Sequence, residues 1–178
     1  MRCPVLKIII LVGAMFISGP FVGFSQNDPL TVTRAVDGDT LQLSSGEKVR
    51  LIGIDTPESS NNSKLRRDAK RTGQDASEIL RMGKEAAAFT RNLVQGKKVR
   101  LELDVGQRDK YGRLLAYVYL EDGTFVNAEI MKAGYAQVMT YPPNVKYQEL
   151  FLGLKKEARE KGRGLWSDKA MLSDKEKK

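Results

Sequence analysis

Leu30-Thr-Val-Thr-Arg-Ala-Val36, Thr40-Leu-Gln-Leu43 and Lys48-Val-Arg-Leu-Ile-Gly-Ile54 decide how this chain folds. Each run is β-branched or alternates apolar with polar residues, the pattern of a half-buried strand. Between them stand Asp37-Gly38 and Ser44-Ser45-Gly46, turn sequences with room for a tight connection and nothing longer. Short strands joined this way make an antiparallel meander. Working outward, residues 99–103 and 114–120 supply two further strand-like runs. The expectation is a β-rich α+β architecture, a five-stranded barrel of the OB-fold type.

Helical periodicity appears elsewhere. From Ser77, the residues Ile79, Leu80, Met82, Ala86, Phe89 and Leu93 share one helical face, and Gly96 ends it. Residues 126–133 read as a helix closed by Gly134, and a last helix over about 146–160 repeats Leu150, Leu154 and Ala158 at i, i+4. That makes about three helices. Residues 59–75 are polar, lack strand periodicity and carry Asn61-Asn62 and Gly73. Extended to Glu78 and net basic by two, the segment reads either as a solvated surface loop or as a mobile flap that tracks a phosphate backbone.

The whole chain, 178 residues long, has room for one ordinary domain. Its N-terminus reads as an export signal over 1–25. Arg2 and Lys7 are followed by an apolar stretch to Ile17, then Ser18-Gly19-Pro20 and small residues at Gly23 and Ser25 before a cut at Gln26. An uncleaved membrane anchor is the alternative. Residues 26–29 then form a linker, 30–168 the domain and 169–178 a charged tail. The expected product is a secreted or periplasmic monomer with no stable membrane association. Its single cysteine, Cys3, falls inside the signal, and there is no histidine. Ser-His-Asp and Cys-His catalysis and histidine-ligated zinc are excluded. The formal charge is +8, of which the signal holds only Arg2 and Lys7, and a positive excess favours a polyanionic partner.

Two clusters place acids and arginines at strand ends: Asp37-Gly-Asp-Thr40 with Arg50 and Asp55-Thr-Pro-Glu58, and Arg108-Asp-Lys-Tyr-Gly-Arg113. Asp39 opens the second strand and Asp55 follows the third, so both can reach one end of a barrel. Two carboxylates and a backbone carbonyl give a hard, all-oxygen, partly open cation site. Taken singly, these acids are also ordinary turn residues. Arg50 lies among apolar neighbours, and Arg113 follows a glycine at the start of a strand. Two guanidiniums and a divalent cation around one phosphate would stabilise a five-coordinate phosphorane. Alternatively, Arg50 pairs with an acid such as Glu58 or Asp104. Glu58 is placed to act as general base on a water, or is a solvated turn carboxylate.

Val36-Asp-Gly-Asp-Thr40, Arg50-x4-Asp55-Thr-Pro-Glu58 and Asp109-Lys-Tyr-Gly-Arg113 resemble, in order, the three signatures of the thermonuclease (staphylococcal nuclease-like) family. Gly83-Lys-Glu-Ala-Ala-Ala-Phe-Thr90, Val126-Asn127 and Gly164-Leu-Trp166 are supporting matches. The resemblance implies Ca²⁺ held by Asp39, Asp55 and the Thr56 carbonyl. It further implies a phosphate clamp of Arg50 and Arg113, with Glu58 activating or orienting water. It also implies P–O5′ cleavage of DNA and RNA to 3′-phosphate products, with Lys110 and Tyr111 on the nucleotide's far phosphate. The chain departs from the pattern in three places: a longer stretch between Glu58 and Phe89, one residue fewer before Lys110-Tyr-Gly-Arg113, and only Tyr141 where two tyrosines are usual. The rival reading is a non-catalytic OB-fold module that binds nucleic acid. An adhesion or envelope protein would leave the signatures unexplained.

Overall fold

A computed structural model describes residues 30–167. The expected signal, linker and tail lie outside the described residues. In chain order the elements are β1 (Leu30–Asp37), β2 (Thr40–Leu43), β3 (Lys48–Leu51), β4 (Gly53–Asp55), α1 (Ser63–Thr72), α2 (Ala76–Val94), β5 (Lys98–Glu102), β6 (Leu114–Leu120), α3 (Val126–Lys132), β7 (Gln137–Met139), α4 (Gln148–Glu160) and a 3-10 turn (Gly164–Trp166).

The two N-terminal hairpins form as their turn chemistry dictates, pairing β1 with β2 and β2 with β3. A parallel contact from β3 to β6, antiparallel β6–β5 and the return of β5 to β1 close a five-stranded barrel. Closure removes the open sheet edges. Alternating side chains point inward, so Val32, Leu41, Leu43, Val49, Leu51 and Val118 are buried in one core. Each such side chain contributes about 1.5–3 kcal/mol.

The run 48–54, read as one strand, is two. At Ile52 the chain leaves the barrel, and β4 pairs instead with β7. The break is satisfied from far away: buried Asn127 on α3 donates to the Ile52 carbonyl at 2.9 Å and accepts from the Val118 amide at 3.0 Å. A backbone group freed inside a core needs such a partner. Arg50 therefore stays on the barrel wall while Asp55 hangs from a separate ribbon.

The second correction concerns residues 59–75, which hold helix α1, giving four helices among the described residues. Asn62 caps it by accepting from the Leu65 amide at 2.9 Å, and Gly73 ends it at φ 72°. Leu65 is buried, and Ala69 packs with it against Ile79 and Met82 of α2. Two small apolar contacts make too narrow a stripe for periodicity to show. No helix among the described residues is long and apolar enough to cross a membrane.

Candidate active site

The site begins at the β1–β2 turn. A Cβ on Gly38 would stand 2.7 Å from Thr56 Oγ1, so only glycine lets this turn lie against the segment after β4. From α2, the Thr90 hydroxyl donates to the Gly38 carbonyl at 2.7 Å and fixes the turn from beneath. Asp39 is thereby buried. Its Oδ2 accepts from the Thr56 amide at 2.9 Å and the Thr56 hydroxyl at 3.1 Å, and its Oδ1 from the Thr40 hydroxyl at 3.1 Å. Burial alone would raise the Asp39 carboxyl, but Arg50, the Thr56 amide and Lys64 hold it below its ordinary value.

Cross-strand register sets Arg50 opposite Thr40, beside Asp39. Its guanidinium forks: Nη1 pairs with Asp39 Oδ2, and Nη2 donates to Asp55 Oδ1 at 2.7 Å. The Arg50 side chain is only 14% exposed and that of Asp39 8%. Burial would lower the Arg50 value, and the charges of Asp39 and Asp55 raise it instead. Neither Glu58 nor Asp104 is its partner. Asp104 accepts from the Tyr117 hydroxyl at 3.0 Å.

Glu58 is held from two sides by the segment read as a loop. Lys64 Nζ lies 2.8 Å from Glu58 Oε1 and 3.0 Å from Asp55 Oδ1, while Asn62 Nδ2 donates to Glu58 Oε2. So Glu58 is not a freely solvated turn carboxylate. From below, α2 presses against its backbone, with a Cβ on Gly83 destined to fall 2.1 Å from the Glu58 carbonyl oxygen. Asp37 completes the acids; its Oδ1 accepts from the Ser59 hydroxyl. Burial raises the Asp37 carboxyl, with nearby Glu58 and Asp39 adding to the effect against the lowering Ser59 hydrogen bond.

Arg113 reaches the same end by a relay, because its Nη1 donates to Thr40 Oγ1 at 3.3 Å and Thr40 touches Asp39. The Arg113 Nε donates to Asp109 Oδ2 at 2.7 Å, while the other oxygen of Asp109 takes the amides of Tyr111 and Arg113. Tyr111, 71% exposed, lies under both Lys110 Nζ at 5.1 Å and the Arg113 guanidinium at 5.5 Å. Tyr141 is 69% exposed on a separate turn. Asn144 ties that turn to the chain upstream of Arg108 through the Gly106 amide at 2.7 Å and carbonyl at 2.8 Å.

Asp39, Arg50, Asp55, Thr56, Glu58 and Arg113 thus converge, while Lys110 and Tyr111 rim the cluster. No described contact joins Tyr141 to it. Sequence reasoning missed Lys64 and Asn62 as partners of Glu58 and gave no role to Thr40 and Asp37, although both stand in the first cluster. The signal for the first two was present: Asn62, then Leu65 and Ala69 at i, i+4, then Gly73 is a capped helix in outline. Three carboxylates (Asp39, Asp55, Glu58) pair with Arg50 and Lys64, and Asp37 adds a fourth beside Asp39 and Glu58, an acidic excess within a basic chain. Among the described residues no group of three or more acid, cysteine or histidine side chains forms a ready metal cage. A cation here would rest on two carboxylates and a carbonyl.

The family described as staphylococcal nuclease homologue matches residues 48–168. The thermonuclease of Staphylococcus intermedius is 38% identical over 154 residues, 83% of each chain. That of Staphylococcus hyicus is 36% identical over 168 residues, covering 90% of this chain and 91% of that protein. The SPbeta prophage-derived endonuclease YokF of Bacillus subtilis is 37% identical over 150 residues, which is 82% of this chain and 46% of the relative. With barrel, signatures and clustered acids and arginines in agreement, the chain belongs to the staphylococcal nuclease family.

Proposed function

We propose that the protein is a Ca²⁺-dependent endonuclease that hydrolyses DNA and RNA at the P–O5′ bond, exported from the cell and acting as a monomer. The observation that carries the reading is the fork of Arg50 across Asp39 and Asp55, with Arg113 linked to the same cluster through Thr40. Cationic forks and hard oxygen donors meet where a phosphate and a divalent cation would share contacts.

The donor set fits calcium. Both Asp39 and Asp55 present carboxylate oxygens, and Thr56 is locked beside Asp39 through its amide and hydroxyl. Asp39, Asp55 and the Thr56 carbonyl would hold the ion, which when bound supplies positive charge against the phosphate. So few ligands leave the site weak, with affinity on the order of the millimolar range. Arg50 and Arg113 bind the scissile phosphate and stabilise the charge that develops as water attacks. Each such donor is worth about 2.7–4 kcal/mol of barrier. Glu58 orients and deprotonates the water, its carboxylate placed by Asn62 and Lys64. Lys110 and Tyr111 meet the nucleotide's far phosphate, and exposed Tyr141 offers a ring to a base.

The test is turnover of labelled DNA and RNA oligonucleotides by the purified domain across a calcium titration, with product ends analysed. Activity rising over the millimolar range and 3′-phosphate products support the reading. Full activity in excess EGTA with Mg²⁺ present sinks the calcium assignment, since Mg²⁺ demands tighter octahedral geometry. Tight binding without turnover would leave a nucleic-acid-binding module.

A further inference from the structure

Helix α1 divides its residues sharply by face. Leu65 and Ala69 turn inward to Ile79 and Met82. At about 100° per residue, Arg66, Arg67, Lys70 and Arg71 occupy the opposite, exposed arc. Lys64 closes that arc at the end nearest the site, 3.0 Å from Asp55 and 2.8 Å from Glu58.

The arc stands out by density and place: residues 64–71 hold Lys64, Arg66, Arg67, Lys70 and Arg71 against Asp68 alone, directly beside the acidic cluster. Elsewhere some helix cations are paired along their own helix, as Arg81 is with Glu78 and Glu85 on α2 and Lys156 with Glu160 on α4, while others such as Lys84, Arg91 and Lys155 are scattered singly along theirs. On α1 only Arg71 has such a partner, Asp68 at 3.2 Å. Arg66, Arg67 and Lys70 make no ion pair among the described residues. Helix electrostatics does not explain them either. Lys70 and Arg71 suit the negative C-terminal end, but Lys64, Arg66 and Arg67 lie toward the N-terminal end, and the first turn has no acid. Cations there oppose the dipole, and like charges one turn apart repel. An arc of like charge with so few internal partners favours an anionic partner from outside the fold.

We propose that α1 is a phosphate-binding rail, on which Arg66, Arg67 and Lys70 take the phosphates of a nucleic acid that flank the one being cut. The inference rests on the reading of the site as acting on nucleic acid. Its place follows from Lys64 and Asn62, which pin the start of α1 onto Glu58 and Asp55. From Lys64 to Arg71 the helix runs about 10 Å, the axial rise of roughly three base-pair steps at about 3.4 Å each, and the long Arg and Lys side chains extend that reach. Charge complementarity selects the occupant, a polyanion long enough to span both the cleft and the rail.

The test compares the wild-type protein with R66Q/R67Q/K70Q. Binding of a labelled 20-base-pair duplex is followed by anisotropy in EDTA, over a salt series. Glutamine keeps helix propensity close to that of Arg and Lys, and melting curves verify the fold. With about 0.9 in slope per phosphate contact, removing three contacts lowers the salt slope by about 3 and weakens binding by on the order of 10²-fold at 0.15 M salt. R66K/R67K keeps the charges and must retain the wild-type slope. An unchanged slope in R66Q/R67Q/K70Q overturns the rail, as does a lowered slope in R66K/R67K. If the wild-type protein cleaves DNA while the slope is unchanged, only the rail fails. If it neither binds nor cleaves, the nuclease reading fails and takes the rail with it.

Discussion

Gly83→Ala isolates the positioning of Glu58 from its chemistry. Gly83 lies within α2, where alanine in place of glycine ordinarily stabilises by about 0.8–1 kcal/mol. Here the new methyl would sit 2.1 Å from the Glu58 carbonyl oxygen and 2.8 Å from that of Pro57. Carbon and oxygen ordinarily meet no closer than about 3.3 Å, so something must move by about 1 Å. Both neighbours are backbone, so no flexible side-chain end can swing away. The strand–loop segment carrying Glu58 has to lift from the helix. Overpacking of this kind costs about 1–3 kcal/mol, which exceeds the propensity gain. A net loss of about 0–2 kcal/mol, or a few degrees in Tm, is expected.

Turnover is the more sensitive readout. A displacement of about 1 Å in a positioned group costs on the order of 10²-fold. Arg50 hangs from β3 and Arg113 precedes β6, so the phosphate clamp is not carried by the lifted segment. The expected result is a fall in kcat of about 10²-fold, with affinity for a nucleotide inhibitor kept within several-fold. Steady-state kinetics on a short oligonucleotide, inhibitor titration and thermal melts read all three quantities. If kcat stays within threefold and Tm rises, the close packing of α2 on Glu58 does not govern its placement, and the argument fails.

Four further perturbations follow from the same geometry. Arg50→Lys cannot span Asp39 and Asp55 with one ammonium, so kcat should fall about 10²-fold or more and stability by about 1–3 kcal/mol. Arg113→Lys should lose similar turnover with little change in Tm, because Asp109 keeps its two backbone amides; near-normal turnover in both variants would remove the phosphate-clamp role. Glu58→Gln should abolish most activity while calcium-dependent inhibitor binding stays within several-fold, whereas equal loss of both would make Glu58 a structural residue. Asp37→Asn should raise Tm at pH 7, since burial holds the Asp37 carboxyl above its ordinary value and its charged form opposes folding. That gain should shrink as pH falls through the raised folded-state value and vanish below about 3.9, where the wild-type carboxyl is protonated in both states; a gain independent of pH would contradict the assignment.

The barrel was legible because its information is local. Alternation of period two and turn residues such as Asp37-Gly38 act within a few positions, and both N-terminal hairpins formed as read. What was not legible depends on partners far along the chain. The strand through residues 48–54 breaks at Ile52 because Asn127 arrives to satisfy the freed carbonyl, and nothing near Ile52 announces it. Helix α1 escaped for a related reason. Its inward face is chiefly Leu65 and Ala69, and the surface they need is supplied by Ile79 and Met82. Its caps, Asn62 and Gly73, were visible all along.

At the site, residue types were readable but pairings were not. Arg50 could have met Glu58 or Asp104; the register of β2 on β3 gives it Asp39, and the departure of β4 gives it Asp55. Those two facts together explain the electrostatic design. A chain carrying +8 attracts a polyanion, yet the place where the acids gather would repel one. Arg50 and Lys64 offset only part of the charge of Asp37, Asp39, Asp55 and Glu58. On the proposed reading, a divalent cation held by Asp39 and Asp55 would supply positive charge at that acidic end, and metal and substrate would each improve the site for the other. The surrounding positive charge, α1 included, would then draw the rest of a strand toward a centre that by itself would push it away.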